Sequence, residues 1–350
     1  MIEHGGNIYR LAEELGVPER EIIDFSASIN PLGVSKKVKA EIKKALNNLH
    51  NYPDPDTEKL KKKLSQYHDI APETILCSNG STELIYLMPR ALKPGTVLIP
   101  FPTFSEYERA CKVNYGLRVK SYELKKENNF EIMPEKFIDA MQNCDMAFLC
   151  NPNNPTGKLL EKNFVLEISG AAKELGCFLI VDEAFIDFRP QESVIKNVPD
   201  NPCLIVLRSM TKFYALTGLR IGYGVFPARL IDKLKESKEP WTVNSLAQRA
   251  AITALEDNDY ADETLRLIRS EKDFFEGSLK KIWIGVYPSD ANFYLLKTKK
   301  DIKIDLKLRE EGILVRNCSN FRGLDSSYIR VAVKSRKENK ALIKAFGDMF

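Results

Sequence analysis

The sequence predicts an α/β fold in which helices cover both faces of a mostly parallel sheet, and a smaller α+β domain completes the chain. Uniformly apolar segments such as residues 146–150 and 178–182 indicate buried strands, and segments of helical periodicity such as residues 160–175 lie between them. Continuous apolar strands are typical of parallel sheets that are buried on both faces. Their alternation with helices indicates β-α-β units. After residue 290 strand-like segments dominate instead, which predicts the second domain.

The positions of the elements follow from the spacing of apolar residues. The first helix is expected to end at Gly16, since glycine is common just beyond a helix. The predicted helices are 8–15, 34–49, 57–67, one that ends at 92, 104–113, 160–175, 244–281 and 336–348. The predicted strands are 74–78, 96–100, 117–123, 146–150, 178–182, 203–208, 292–297, 313–316 and 328–333.

Length and composition exclude several classes of protein. A chain of 350 residues is long enough for about two domains and a deep cleft. With 44% hydrophobic and 29% charged residues, it is neither collagen-like nor disordered. The net charge is only +4 and the basic residues are spread along the chain, so no nucleic acid is expected as a partner. No apolar stretch approaches the roughly 20 residues of a membrane span, so no membrane is expected either.

Cysteine and histidine usage bears on the compartment and on metals. The seven cysteines include no Cys-x-x-Cys pair, and the N-terminus lacks the pattern of a secretory leader. Reduced thiols in a cytoplasmic protein are therefore expected. The three histidines have no close partners in the sequence, so no metal site is expected.

The segment from Ser209 to Arg220 contains the first candidate for chemistry, Lys212. Lys212 follows a predicted strand and a polar turn, which places it at the carboxyl end of the sheet, where open α/β folds bind ligands. A lysine amine can form a Schiff base with a carbonyl group, including that of pyridoxal phosphate. Ser209 and Arg220 could hold a phosphate beside it. Taken alone, Lys212 would be an ordinary surface lysine.

Three further segments follow strands in the same way. Asp182 ends an apolar strand, where a carboxylate could pair with a protonated pyridine nitrogen, bind Mg²⁺ or cap a helix. Asn154 lies in Asn-Pro-Asn-Asn-Pro-Thr-Gly, which could be a plain turn. Ser81 and Thr82 open a helix, where they could offer N–H groups to a phosphate or serve only as a cap. Their order after successive strands favours one shared site.

Together these segments resemble the fold-type-I pyridoxal-phosphate (PLP) enzymes of the aminotransferase class I/II superfamily, over essentially the whole chain. The resemblance implies PLP as the cofactor, with Lys212 as the lysine that binds it covalently and Asp182 as the partner of its pyridine nitrogen. Both would be catalytic. The other implied cofactor contacts are Asn154 at the ring hydroxyl, Phe104 stacked on the ring, and Ser81, Thr82, Ser209 and Arg220 at the phosphate.

The resemblance also implies a homodimer with shared active sites. Tyr52, in Asn-Tyr-Pro-Asp, resembles the tyrosine that reaches the cofactor phosphate of the neighbouring subunit. Proteins of this shape bring both termini together. Residues 45–240 are therefore expected to form the large PLP-binding domain, and residues 1–44 and 241–350 the small α+β domain.

Two branches of the superfamily compete for this chain. Its body is similar to histidinol-phosphate aminotransferases, which act in histidine biosynthesis with 2-oxoglutarate as amino acceptor. Residues 4–7, 24–33 and 317–332 resemble threonine-phosphate decarboxylases of the cobalamin pathway more closely. The leading hypothesis is a lyase that converts L-threonine O-3-phosphate to (R)-1-amino-2-propanol O-2-phosphate, and the alternative is the aminotransferase. Either would act on a small phosphorylated amino substrate.

For the leading hypothesis, Arg330 is expected to bind the substrate carboxylate. Arg316 is expected to bind its phosphate, together with the loop that carries His4. The full set of expected substrate-binding residues is His4, Gly5, Ser28, Asn154, Arg316, Arg322 and Arg330.

Two positions depart from the family patterns. Ser28 stands where the decarboxylase branch usually has asparagine, which changes one expected substrate contact. Phe185 stands where most aminotransferases have a tyrosine that donates to the ring hydroxyl. Phenylalanine cannot donate a hydrogen bond, so Asn154 is expected to be the main donor there.

Overall fold

The computed structural model describes residues 4–113, 116–282, 285–298 and 303–349. Its strands, in chain order, are β1 (Ile23–Asp24), β2 (Ile75–Ser78), β3 (Thr96–Phe101), β4 (Arg118–Glu123), β5 (Met146–Cys150), β6 (Phe178–Asp182), β7 (Leu204–Ser209), β8 (Gly222–Val225), β9 (Phe293–Lys297), β10 (Ile313–Leu314), β11 (Arg316–Asn317) and β12 (Tyr328–Ala332).

Its α-helices, in chain order, are α1 (Ile8–Leu15), α2 (Lys36–Ala45), α3 (Glu58–His68), α4 (Ser81–Leu92), α5 (Glu106–Lys112), α6 (Pro134–Met141), α7 (Lys162–Leu175), α8 (Ala228–Ser237), α9 (Ser245–Leu255), α10 (Asn258–Ile282), α11 (Ile304–Glu310) and α12 (Arg336–Met349). Helix α1 ends at Gly16, as predicted, in the left-handed conformation. Within the described ranges, no helix is both long enough and apolar enough to cross a membrane.

The largest sheet in the described ranges has seven strands in the order β2-β8-β7-β6-β5-β3-β4. Strands β3 to β7 pair in parallel, whereas β8 is antiparallel to both of its neighbours. Alternate residues of the central strands enter different apolar clusters: Ile180 and Ile205 pack on one face, and Val181 and Val206 on the other. The sheet is buried on both faces, and the predicted α/β fold is confirmed.

A three-stranded antiparallel sheet, in the order β11-β12-β9, forms from the C-terminal part of the chain. The N-terminal segment joins it. Ile23 pairs in parallel with Ile313 across β1 and β10, and the Ala332 N–H donates to the Phe25 carbonyl at 2.9 Å. The N-terminal segment therefore lies beside this C-terminal sheet. The domain boundaries after residues 44 and 240 stay a prediction.

Two predicted elements are divided in the structure. The helix predicted over residues 244–281 is two helices, because the chain turns at Asp257, whose carbonyl accepts from the Ala261 N–H at 3.2 Å. Aspartate is favourable just before a helix, so the residue starts a second helix within one continuous apolar pattern. The strand predicted over residues 313–316 is β10 and β11, which belong to different sheets.

A buried ion cluster holds together the ends of β6 and β7. Arg208 is 4% exposed and forms ion pairs with Glu183, at 3.0 Å, and with Asp187. Glu183 also accepts from the Ser193 hydroxyl at 2.6 Å. A buried charge is tolerated only when it is well paired. The cluster therefore holds the ends of β6 and β7 together. Glu183 directly follows β6, and Lys212 follows β7.

Candidate active site

One cavity of about 430 Å³ lies at the carboxyl ends of the parallel strands. It collects most of the residues that the sequence predicts for a shared site. These are His4, Gly5, Ser28, Ser81, Thr82, Phe104, Asn154, Asp182, Ser209, Lys212, Arg220, Arg316 and Arg330. A second cavity, of about 530 Å³, is lined by residues such as Phe130 and Phe164, and none of the predicted residues lines it.

Lys212 follows β7 in a turn that the N-terminal segment holds, since the Lys212 carbonyl accepts from the Asn30 N–H at 3.0 Å. Burial lowers the pKa of the Lys212 amine to about 8, with a smaller contribution in the same direction from the positive charges of Arg330 and Arg220. A larger fraction of the amine is therefore neutral near pH 7 than in an exposed lysine. The neutral amine is the form that attacks a carbonyl carbon.

Asp182 is the last residue of β6 and is 3% exposed. Its two oxygens each accept a hydrogen bond, Oδ2 from the Tyr107 hydroxyl at 2.7 Å and Oδ1 from the Ala184 N–H at 3.0 Å. Burial raises the pKa of Asp182 to about 6, and both hydrogen bonds act against that rise. The carboxylate is therefore ionised at neutral pH in an apolar setting, which suits it to hold a cationic ring nitrogen.

A cradle for an anion lies at the N-terminus of α4. Gly80 precedes the helix with φ +72°, and a Cβ placed on it would lie 2.5 Å from Nη2 of Arg220. The guanidinium thus lies against the glycine backbone, beside the first N–H groups of the helix. The Ser209 and Thr211 hydroxyls are hydrogen bonded to each other at 2.7 Å in the same cavity. A helix N-terminus with an arginine and hydroxyls is a suitable phosphate site.

Two arginines enter the cavity from neighbouring strands. Arg316 on β11 is directly opposite Arg330 on β12. Arg330 is 7% exposed, and it donates from Nη2 to the Ser26 carbonyl at 2.7 Å and from Nη1 to the Asn154 side chain. Its buried Nε has no hydrogen-bond partner. Arg316 donates to the Asn317 carbonyl at 2.6 Å. The cavity therefore holds two buried guanidinium groups on one wall.

Two predicted residues lie outside this cavity. Arg322 is exposed: its guanidinium lies 4.1 Å from the centre of the Phe101 ring and donates to the Ser121 hydroxyl at 2.7 Å. It lines a neighbouring cavity of about 260 Å³, so the structure does not bring it to the arginine pair. Tyr52 is 84% exposed and packs on Trp241, with 5.3 Å between the ring centres. Within one subunit, Tyr52 is therefore not part of the site.

The structure adds cavity residues that the sequence reasoning missed. Tyr107 supports Asp182, and Glu106 beside it is 5% exposed although it is an acid. Both begin α5, which starts two residues after the predicted Phe104. A Glu-Tyr pair is not a recognisable sequence motif, so the sequence gives no signal for it. Its place in the cavity depends on the sheet order, which brings α5 over the end of β6.

Comparison with known proteins identifies the family of this chain. The family model for aminotransferase class I and II matches residues 20–346. The chain belongs to that family. Its enzymes depend on PLP, so this protein is a PLP-dependent enzyme.

Individual relatives cover nearly the whole chain. It is 38% identical to a threonine-phosphate decarboxylase of Salmonella typhimurium, over 99% of this chain and 96% of that one. A solved histidinol-phosphate aminotransferase of Clostridium acetobutylicum is 34% identical, with a TM-score of 0.88, over 93% and 98% of the chains. A solved L-threonine-O-3-phosphate decarboxylase of Porphyromonas gingivalis is 30% identical, with a TM-score of 0.82, over 93% and 99%.

The residues present fit PLP. The cradle at Gly80, which any side chain on that residue would fill, is of the kind that takes a phosphate. PLP carries an aldehyde and a pyridine nitrogen on one ring. The Lys212 amine, which suits the aldehyde, and the Asp182 carboxylate, which suits the nitrogen, line the same cavity. Phe104 and Asn154 are in the same lining, where they are available to the ring and to its hydroxyl.

The lowered pKa of Lys212 predicts how cofactor loading depends on pH. In the cofactor-free enzyme, we expect the rate of covalent PLP attachment to rise about tenfold per pH unit up to about pH 8, because the neutral amine reacts, and then to level off. Absorbance measures the rate, and borohydride reduction with peptide mapping identifies the lysine. Lys212→Ala is the control. Label on another lysine, or a rate that keeps rising towards pH 10, contradicts the assignment.

Tyr107 predicts a shift in the acid side of the turnover profile. Tyr107→Phe keeps the ring, which stacks on Phe148, but removes a hydrogen bond that lowers the pKa of Asp182. We expect cofactor affinity to stay within about twofold, turnover to fall by up to about tenfold, and the acidic limb of kcat to move to higher pH. Asp182→Asn should lose much more turnover. A Tyr107→Phe enzyme with an unmoved acidic limb would show that this hydroxyl does not act on Asp182.

Proposed function

We propose that the protein decarboxylates L-threonine O-3-phosphate to (R)-1-amino-2-propanol O-2-phosphate in cobalamin biosynthesis. The observation that supports this most is the pair of opposed arginines, Arg316 and Arg330, which share a cavity with Lys212. The substrate has two anionic groups, and the two guanidinium groups match their charges. The similarity to the Salmonella and Porphyromonas decarboxylases supports the same assignment.

Arg330 is the group that would select the bond to be broken. When bound, PLP supplies an electron sink for the pair released at the substrate's Cα, and only a bond perpendicular to its ring can deliver that pair. The guanidinium fork fixes a carboxylate in two dimensions. Arg330 has only neutral acceptors, the Ser26 carbonyl and the Asn154 amide, and a spare Nε. It is therefore suited to hold the carboxylate in the cleaved position.

The remaining roles follow from charge and position. Arg316 binds the substrate phosphate, which does not react. After the bond from Cα to the carboxyl carbon breaks and CO₂ leaves, a proton must be added at Cα. The Lys212 amine is placed to deliver it, because it lines the same cavity and its lowered pKa eases proton transfer. The Asp182 carboxylate holds the proton on the pyridine nitrogen throughout.

The alternative function is that of a histidinol-phosphate aminotransferase. The similarity to the Clostridium aminotransferase, at 34% identity and a TM-score of 0.88, favours it. Histidinol phosphate carries a phosphate and an amine but no carboxylate. In this reaction Arg330 would serve the acceptor, 2-oxoglutarate, instead.

One assay separates the two functions. PLP-loaded protein is incubated with L-threonine O-3-phosphate, and separately with histidinol phosphate and 2-oxoglutarate, while CO₂ and glutamate are followed. The proposal expects CO₂ from the first mixture and no glutamate from the second. Glutamate without CO₂ would assign the aminotransferase instead.

We also infer that the active protein is a cytoplasmic homodimer. Tyr52 and Trp241 form an exposed aromatic pair that does not line the cavity of the same subunit. Leu49, nearby in the sequence, is 54% exposed, so this apolar surface is suited to contact a second copy of the chain. All seven cysteines lie in described ranges and are free, which supports a reducing compartment. The molecular mass in solution tests the dimer.

Replacement of each arginine by lysine predicts two different defects. Lysine keeps the charge but loses the planar fork. Arg330→Lys should lower CO₂ release and raise the fraction of turnovers that end in abortive transamination, since the substrate can then rotate. Arg316→Lys is the matched comparison and should mainly raise KM. The measurement is CO₂ and aminated cofactor per turnover. If Arg330→Lys only slows the enzyme and the ratio of CO₂ to aminated cofactor is unchanged, this arginine does not select the bond that is broken.

A further inference from the structure

Residues 4–7, here called the N-terminal strap, connect the N-terminal segment to helix α5. At one end, the Gly6 N–H donates to the Ser26 hydroxyl oxygen at 2.7 Å, and that hydroxyl donates to Asp24 at 2.6 Å. Gly5 lies directly on the Ser26 carbonyl, where a Cβ would be only 2.3 Å from the oxygen. The strap thus follows a defined path along the cavity wall.

The other end of the strap is fixed by a buried carboxylate. His4 Nε2 lies 2.9 Å from Oε1 of Glu106, and the His4 ring lies 6.1 Å from the Phe104 ring. Glu106 is 5% exposed, whereas the His4 side chain is 44% exposed. The contact therefore spans the entrance of the cavity, from the strap to the start of α5.

Both oxygens of Glu106 are engaged within the protein. Oε2 accepts from the Tyr86 hydroxyl at 2.5 Å and lies 3.6 Å from the Arg109 guanidinium. Burial and the hydrogen bond to Glu106 raise the pKa of Tyr86 to about 12, so this hydroxyl remains a donor. The carboxylate is consequently held in one orientation, and His4 is its contact on the cavity side.

A carboxylate in this position is unexpected for a site that takes anions. Arg316, Arg330 and Arg220 line the same cavity, and a free acid beside them would repel a phosphate. Tyr86 and His4 hydrogen bond to Glu106, and the Arg109 guanidinium partly neutralises it. Its burial is explained if the acid serves to hold the strap.

We propose that Glu106 is a positioning residue for His4: it holds the imidazole at the cavity entrance, where His4 contacts the phosphate of the substrate. Glu106 itself does not touch the substrate. Without Glu106 the His4 imidazole is no longer held in position. Substrate binding therefore weakens, while the bond-breaking step is unaffected. The substrate named in this role rests on the proposed decarboxylase function. The contact between the N-terminal strap and α5 does not depend on that function.

A double-mutant cycle in the PLP-loaded enzyme tests the role. His4→Ala and Glu106→Ala should each raise KM for L-threonine O-3-phosphate about tenfold, with kcat within about threefold. The double variant should be no worse than about twofold beyond either single variant, because one residue acts through the other. Glu106→Gln should restore most of the loss, since its amide oxygen still accepts from the imidazole. Glu108→Ala, which removes an acid of the same helix, should leave KM within about twofold.

Hydrogen exchange of the substrate-free holoenzyme provides a second readout. Glu106→Ala should speed exchange in the peptide that contains Gly6, whose N–H is bonded to Ser26, and a merely structural Glu106 would change α5 instead. Independent KM effects that multiply to about a hundredfold, or unchanged exchange in the strap, overturn the proposal. If Glu106→Ala does not fold, Glu106→Leu, which fills the same space but cannot accept from the imidazole, takes its place in the cycle with His4→Ala. Wild type that releases no CO₂ refutes the proposed function, and the exchange data still decide whether Glu106 holds the strap.

Discussion

The site is organised around a buried positive charge that has no acid of its own. Arg330 is 7% exposed, and within the described ranges it has hydrogen-bond acceptors but no ion-pair partner. Burial lowers its pKa to about 10, which leaves it charged at neutral pH. Removing an ion from water costs several kcal/mol unless a counter-ion replaces the water. A substrate carboxylate would supply that counter-ion, so the cost of burying the guanidinium favours substrate binding.

Arg330 also explains why separate parts of the chain must meet. It is carried by β12, it donates to Asn154, which follows β5, and it donates to Ser26, which follows β1. The Phe293 ring on β9 covers the guanidinium at 5.1 Å. Three segments that are far apart in sequence thus share one cation, and the position of each of them is fixed by the other two. These contacts connect the small sheet to the carboxyl end of β5 in the large one.

The sequence was sufficient for the parallel strands of the large sheet and for most of the residues that line the cavity, because each motif follows an apolar strand and parallel strands place such motifs at one edge. It was insufficient where position depends on packing. Strand β8 is Gly-Tyr-Gly-Val, whose glycines hide the apolar pattern, and it was not predicted. Arg322 was expected to bind substrate, but the Phe101 ring and the Ser121 hydroxyl hold it outside the cavity. Tyr107 and Glu106 were missed, since their partners come from other elements.

The pairing of β1 with β10 also determines when this enzyme becomes complete during its own synthesis. The seven-stranded sheet uses residues 75–225, so a nascent chain can build it, with Lys212 in place, while its C-terminal part is still being translated. Residues 23–24 must wait for residues 313–314, when roughly nine tenths of the chain has been made. Arg316 and Arg330 come later still. A truncated product would therefore keep the reactive lysine but lack the groups that control it.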